Sequence, residues 1–360
     1  MITHDSLSRT IEVQKPSIAS RKTTQELCFL NYFLRSKRYF ILIFTLFAGE
    51  SSVLAQDFLA SFGPAGKQNF KVTAKQSGDV LTKAIGDDSG DNRTADQIDL
   101  AAFLPLFQSG ETSFGVTGKY QQLHFGKLKQ NSNFVPVADL YEYKAGFSLT
   151  VDDENKDTWT LGATYGSASD KAFEGSDVQA MDATLSKKHD SSATTSWIYF
   201  LNYSNNRSIL SNIPLPGFAY VFSDEAKTSG GTLGLPFFSY WWRPSPKVFT
   251  SLFFLIPSMM RGQASLMLWG PLQGIIKFEY GAQTYLRSGR ANKSEQIFYE
   301  TQKAATAIKA FLGSGSFFEA EFARVFNRSL YDRLRTFELA SERMSLPDEW
   351  RASLTFQIVY

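Results

Sequence analysis

The last ten residues read RASLTFQIVY, from Arg351 to Tyr360. From Trp350 onward, the even positions Ala352, Leu354, Phe356, Ile358 and Tyr360 are apolar. The odd positions Arg351, Ser353, Thr355 and Gln357 are polar, and only Val359 breaks the set. A period of two held this long marks a strand with one face in hydrocarbon and the other in water. Chain ends are usually polar and frayed unless something ties them down. An aromatic ring on the final residue therefore predicts that this strand is paired to its very end.

The same alternation recurs upstream. Tyr141, Tyr143, Ala145, Phe147, Leu149 and Val151 alternate with polar or small residues. After the polar turn at 152–156, Trp159, Leu161, Ala163 and Tyr165 do the same, which reads as a β-hairpin. Further strands are predicted around Phe114 to Gln121, Trp197 to Tyr203, Ile276 to Arg287 and Phe318 to Phe326. Short polar or Gly/Pro-rich connectors (188–191, 243–246, 313–315) alternate with longer polar ones (86–97, 167–177, 223–231, 287–302). The stretch 248–269 is more uniformly apolar and its register stays open. The segment 330–344 fits a strand or a short helix.

Bulk composition agrees with dispersed apolar faces. Aromatics make up 15% of the 360 residues, Phe alone contributing 32, and net charge is only +2. The small charge implies no general attraction to nucleic acid. Cys28 is the only cysteine, which excludes disulfide frameworks and thiolate metal sites.

The N-terminal part predicts export. Arg35, Lys37 and Arg38 precede an apolar run of about ten residues, too short to cross a bilayer as a helix. Val53-Leu54-Ala55 before Gln56 then suits signal peptidase. Residues 1–55 are accordingly expected to be an extension plus signal peptide, with residues 1–34 polar and weakly structured. Residues 56–360 are expected to form the folded domain.

Alternation does not say which way the apolar face points. A soluble sandwich hides it inside, whereas a membrane barrel turns it outward to lipid around a polar interior. Export, the flush aromatic end and the load of Phe, Tyr and Trp on the apolar faces favour the second arrangement. Unpaired backbone is too costly in lipid for an open sheet, so the strands must close. The expected fold is all-β, an antiparallel up-and-down transmembrane barrel. At roughly 20–25 residues per strand and connection it would have about 12–14 strands.

Bacterial outer-membrane barrels end in such a strand, which the assembly machinery reads. LTFQIVY resembles that signal through Leu354, Phe356, Ile358 and Tyr360. NIPLPGFAYVF (212–222), LGLPFFSYWWRPSPK (233–247) and FFEAEFARVFNRSL (317–330) are similar to an uncharacterised family of such barrels, known only as a domain of unknown function. The resemblance spans about residues 98–360. It implies an outer membrane of the Gram-negative type, contact with its lipid and a passing encounter with the assembly machinery. It implies no activity and no cofactor.

Chemistry is sparse. His189-Asp190-Ser191 is weighed because some outer-membrane lipid hydrolases use a His and a Ser two residues apart. A nucleophilic serine needs a base in reach and a third group to orient it, and a solvated turn is the plainer reading here. His124 ends a strand. The acidic clusters at 86–91 and 152–154 lack calcium-loop spacing, and no metal or phosphate motif is present. The polar faces offer more. Lys119, Glu142, Lys144 and Lys277 should point into the lumen, with Glu279, Arg287, Glu319 and Glu321. Such charges either line a pore for small solutes or salt-bridge across a packed interior. The expected role is porin-like passage or binding of small solutes. The alternatives are a lipid hydrolase, or a structural or adhesive barrel acting through its loops.

Overall fold

The computed structural model describes residues 69–79, 95–126, 128, 137–153, 157–207, 210–255, 258–290, 292, 295–333 and 343–360. The expected signal peptide and its Ala55–Gln56 junction lie outside them.

About 79% of the described residues are in strands. In chain order these are β1 (Lys71–Asp79), β2 (Ala95–Ser109), β3 (Thr112–Phe125), β4 (Asp139–Asp152), β5 (Asp157–Ser169) and β6 (Gln179–Asp190). They continue with β7 (Thr195–Ser204), β8 (Leu215–Ser223), β9 (Ser229–Leu235), β10 (Phe237–Ser245), β11 (Val248–Leu255) and β12 (Met259–Trp269). The last are β13 (Leu272–Leu286), β14 (Gln296–Gly313), β15 (Ser316–Arg333), β16 (Arg343–Leu346) and β17 (Glu349–Val359). β16 and β17 pair with successive parts of β15 and are two segments of one strand, so the barrel has sixteen strands. Each pairs antiparallel with its sequence neighbour, and β1 closes the ring against β17 from Lys71↔Val359 to Asp79↔Arg351. The Tyr360 N–H donates to Phe70 O at 3.0 Å, so pairing does reach the final residue.

The expected 12–14 strands therefore become sixteen. The error lies in the connections. The supposed long loop at 223–231 is a tight hairpin turn between β8 and β9. There the Asp224 carboxylate accepts the N–H groups of Thr228 (2.6 Å) and Ser229 (2.9 Å). These bonds, the Ser229 N–H first, hold its pKa below the usual carboxylate range. The ambiguous stretch 248–269 is two strands, β11 and β12. The segment 330–344 holds the end of β15 and the start of β16, with 334–342 outside the described residues.

The faces follow the sequence. On β17, Leu354, Phe356 and Ile358 are exposed at 55%, 42% and 41%, while Thr355 and Gln357 on the other face are at 5% and 0%. Exposed apolar side chains run right round the barrel, among them Leu100, Leu161, Tyr199, Leu233, Leu266 and Ile308. An apolar exterior around a polar, buried interior is the inverse of a soluble barrel. Trp350, stacked on Phe322 with centroids 5.1 Å apart, and Tyr360 bound the band on β17. Ten residues of a strand tilted by roughly 40° span about 25 Å of height, the apolar thickness of an outer membrane.

The strands differ in height by sector. β2–β5 and β13–β15 have 13 to 18 residues, whereas β7–β12 have 7 to 11. Short connections gather at the rim that holds Tyr360, so the tall strands overshoot at the opposite, distal rim.

Candidate functional site: a two-level lumen

At the distal rim the overshoot closes the barrel on itself. β5 is paired with β6 only up to Ser167, and β13 with β12 only up to Gly281. Beyond those points the ladders stop, the β13 edge being capped in part by Asn206, whose Nδ2 donates to the Thr284 carbonyl at 2.8 Å, and strands so released seek partners. They meet in a parallel bridge, Leu286↔Ser169, across the width of the barrel. The connection after β5 ties down the chain after β13. Asp170 accepts the Ser288 N–H (2.7 Å) and hydroxyl (3.0 Å). Asp177 accepts the Gly289 N–H (2.9 Å), and its carbonyl accepts Arg290 Nη2 (2.7 Å).

Among the described residues, eight strands reach this level: β2–β5 and β13–β16. Apolar side chains fill it. Leu123, Phe125 and Leu140 from one side meet Tyr285, Ile297 and Tyr299 from the other, all 2% exposed or less. Phe125 and Tyr299 touch edge to face, with centroids 5.3 Å apart.

Below this plug lie the charges read from the sequence. Glu142 sits between Lys119 (2.5 Å) and Lys144 (2.9 Å), and Lys144 also reaches Asp182 at 2.6 Å. A second chain crosses β12–β15. Arg261 pairs with Glu279 (3.1 Å), Glu279 with Lys303 (2.7 Å), and Lys303 with Glu321 (2.9 Å). Lys277 contacts both Glu321 (3.2 Å) and Glu319, and Lys309 closes the row on Glu319 at 3.4 Å. Of the eight charges expected in the lumen, seven lie in these two networks. Arg287 does not. It stands just past the end of β13, at the distal rim, bonded to Asp332 at 2.7 Å, because β13 ends one residue earlier.

Asp182, Arg261, Lys303 and Lys309 are partners that the sequence reading missed. Lys303 and Lys309 share a parity, which is a signal, but which strands they face depends on the register of β14 on β13 and β15.

The expected trio does not assemble. His189 points outward and bonds Asp157 at 2.6 Å. Asp190 points inward to Lys188 (2.7 Å) and Ser196 (2.6 Å), and Ser191 follows the strand end. Adjacent strand residues face opposite ways, so Asp190 turns away from His189 and the trio has no shared face. His124 is exposed on the outer face beside Asp139 at 2.8 Å.

The inner face of β7–β11 departs from the polar expectation. Ile198, Phe200, Ala219, Phe237 and Phe249 are buried on it, with Phe253 and Leu255 packed beside them. Two rings pack over glycines of the adjacent strand. A Cβ on Gly217 would meet the Phe200 ring at 2.0 Å, and one on Gly230 would meet the Trp241 ring at 2.9 Å. The lumen thus has a charged wall and an apolar wall.

No protein-family model matches the chain, and no curated protein matches it, so the likeness of 212–222, 233–247 and 317–330 to an uncharacterised family stays a resemblance. Solved structures that it overlaps include an outer membrane channel from Pseudomonas putida F1 (8% identity, 83% of this chain and 98% of that one, TM-score 0.34). A BenF-like porin from Pseudomonas fluorescens Pf-5 (10%, 81% and 98%, 0.34) and OpdK from Pseudomonas aeruginosa, crystallised with vanillate (8%, 81% and 98%, 0.33), overlap similarly. Overlap this loose carries no activity across. The outward apolar belt, the polar interior and the closed ring of sixteen strands stand on their own: the protein is an outer-membrane β-barrel.

Proposed function

We propose that the barrel passes small polar solutes across the outer membrane. One observation carries this reading: closure at sixteen strands, a girth that leaves an aqueous channel where an eight-stranded barrel would be filled. The paired charges of β3–β6 and β12–β15 then form the polar wall of the path. In this reading the outward face of β17 is both the lipid contact and the signal taken by the assembly machinery. The purified, refolded protein in a planar bilayer should give discrete conductance steps in potassium chloride. A silent bilayer containing folded, heat-modifiable protein would overturn the reading.

A second reading, a barrel that acts through its distal loops without conducting, is favoured by the apolar filling at the eight-strand level. The same recording separates the two.

A further inference from the structure

The outer face of the barrel carries a cationic cluster that owes nothing to the lumen. Lysine and arginine are rare on that face. Among the described strand residues, Lys187 stands outward near the Tyr360 rim, and Arg324, Arg333 and Arg343 stand outward together in the distal half of β15 and β16. The outer faces of β2–β4 at the same distal rim hold Asp96 and Asp139 instead. Arg324 lies level with Trp350, at the edge of the apolar band, and pairs with Asp348 at 2.9 Å. Arg343 lies over the Tyr331 ring, 4.6 Å from its centroid, and reaches Glu300 at 3.3 Å. Arg333 lies over the Phe298 ring, 5.7 Å from its centroid, and that ring stacks on Tyr331 at 5.2 Å. Three guanidinium groups thus face two carboxylates. The Arg324 and Arg343 side chains are 56% and 57% exposed. Pairs so exposed are weak, and a guanidinium has five N–H donors, so both keep donors for an anion arriving from outside. A guanidinium held against a ring is already restrained, so little ordering is lost when the anion binds.

Height decides which lipid meets these groups. Connections are short at the Tyr360 rim, which marks it as periplasmic and the distal rim as external. Arg343 pairs with Tyr331, seven residues beyond Arg324 on β15. At about 3.3 Å per residue and the usual tilt, Arg343 stands about 15–18 Å above the edge of the band, and Arg333 stands higher still. A phospholipid headgroup layer adds only about 5–8 Å on each side of the hydrocarbon. It reaches Arg324 but neither of the others. A lipid whose headgroup is a charged saccharide reaches all three, and the guanidinium fork matches its phosphates and carboxylates. Between the arginines, Asn327 donates to Gln302 at 2.9 Å and Ser345 is exposed. Their amide and hydroxyl groups both donate and accept, as sugar hydroxyls require.

We propose that the distal outer face of β14–β16 is a binding site for an anionic glycolipid of the outer leaflet, with a phosphate near the acyl chains at Arg324 and the acidic groups of the saccharide at Arg333 and Arg343. The site needs the outer-membrane setting and not the channel. Refolded barrel in detergent micelles can be offered equal amounts of core-bearing lipopolysaccharide, lipid A without core sugars, and phosphatidylglycerol, and the bound lipid counted by native mass spectrometry. Wild-type protein should retain the core-bearing form several-fold over lipid A and over phosphatidylglycerol. Arg333→Ser combined with Arg343→Ser should bring the core-bearing form down to the level of lipid A. Arg324→Ser should lower both glycolipids, and Lys187→Ser, on the periplasmic side, should lower neither. If wild-type protein holds phosphatidylglycerol or lipid A as well as the core-bearing form, or holds none of the three, the proposal fails. Undiminished retention in the refolded Arg333 and Arg343 double variant overturns it as well. The wild-type ranking decides the matter even where a variant does not refold.

Discussion

At the scale of single residues, orientation is what matters. Phe356 is 42% exposed on the outer face, and its neighbour Thr355 is 5% exposed on the inner one. Phe356→Arg would set a charge against lipid, at a cost of roughly 2–4 kcal/mol near the midplane. Thr355→Arg would stand between its register partners Lys75 and Glu319, where an acid is at hand. Phe356→Arg should therefore deplete heat-modifiable folded barrel in outer-membrane fractions more than Thr355→Arg does. Equal depletion would contradict the assigned faces. This much was legible in the chain, since RASLTFQIVY carries its own period. His189 and Ser191 show the other side of the same rule, because their intervening residue turns the opposite way and the trio never forms.

At the scale of elements, β13, β14 and β15 are held by charge as well as by the backbone ladder. Lys277 and Glu319 are each 2% exposed in their side chains and touch each other, with Glu321 as a third partner. Breaking a buried pair from one side leaves an uncompensated charge and costs about 3–5 kcal/mol. Lys277→Met should lower the urea midpoint of the refolded barrel accordingly. Adding Glu319→Gln and Glu321→Gln to it should restore part of the loss. An unchanged midpoint for Lys277→Met would mean that lumen water already solvates these acids. The sequence placed Lys277, Glu279, Glu319 and Glu321 on inward parities but did not pair them, since pairing needs the register between strands.

At the scale of the whole molecule, unequal strand height governs the shape. The tall sector closes over the distal end through Leu286↔Ser169 and the Asp170 and Asp177 tethers, and the short sector stops below it. Asp170→Ala combined with Asp177→Ala removes the acceptors of the Ser288 and Gly289 N–H groups. Amide exchange at these two residues should then speed up, and, on the proposed channel reading, the mean conductance should rise. Slow exchange in the double variant would show that the apolar plug alone holds the seam. Nothing in the chain announced this closure. Strand ends are blurred in a sequence, and the overshoot is a difference of a few residues between strands more than a hundred positions apart.

The sequence by itself determined that this chain makes strands and, wherever apolar and polar residues alternate, which face of the strand is apolar, as in β4, β5 and β17. Those properties depend on the pleat, which reverses the side-chain direction at every residue and needs no distant partner. The tertiary structure decided the count of sixteen, the pairing of the charges, the plug at the eight-strand level and the apolar inner wall. In β7, β10 and β11 both parities are largely apolar, as in WIYFL, FFSYWW and VFTSLFFL. Alternation there gives no direction, and only the neighbouring strands assign one face to lipid and the other to the lumen.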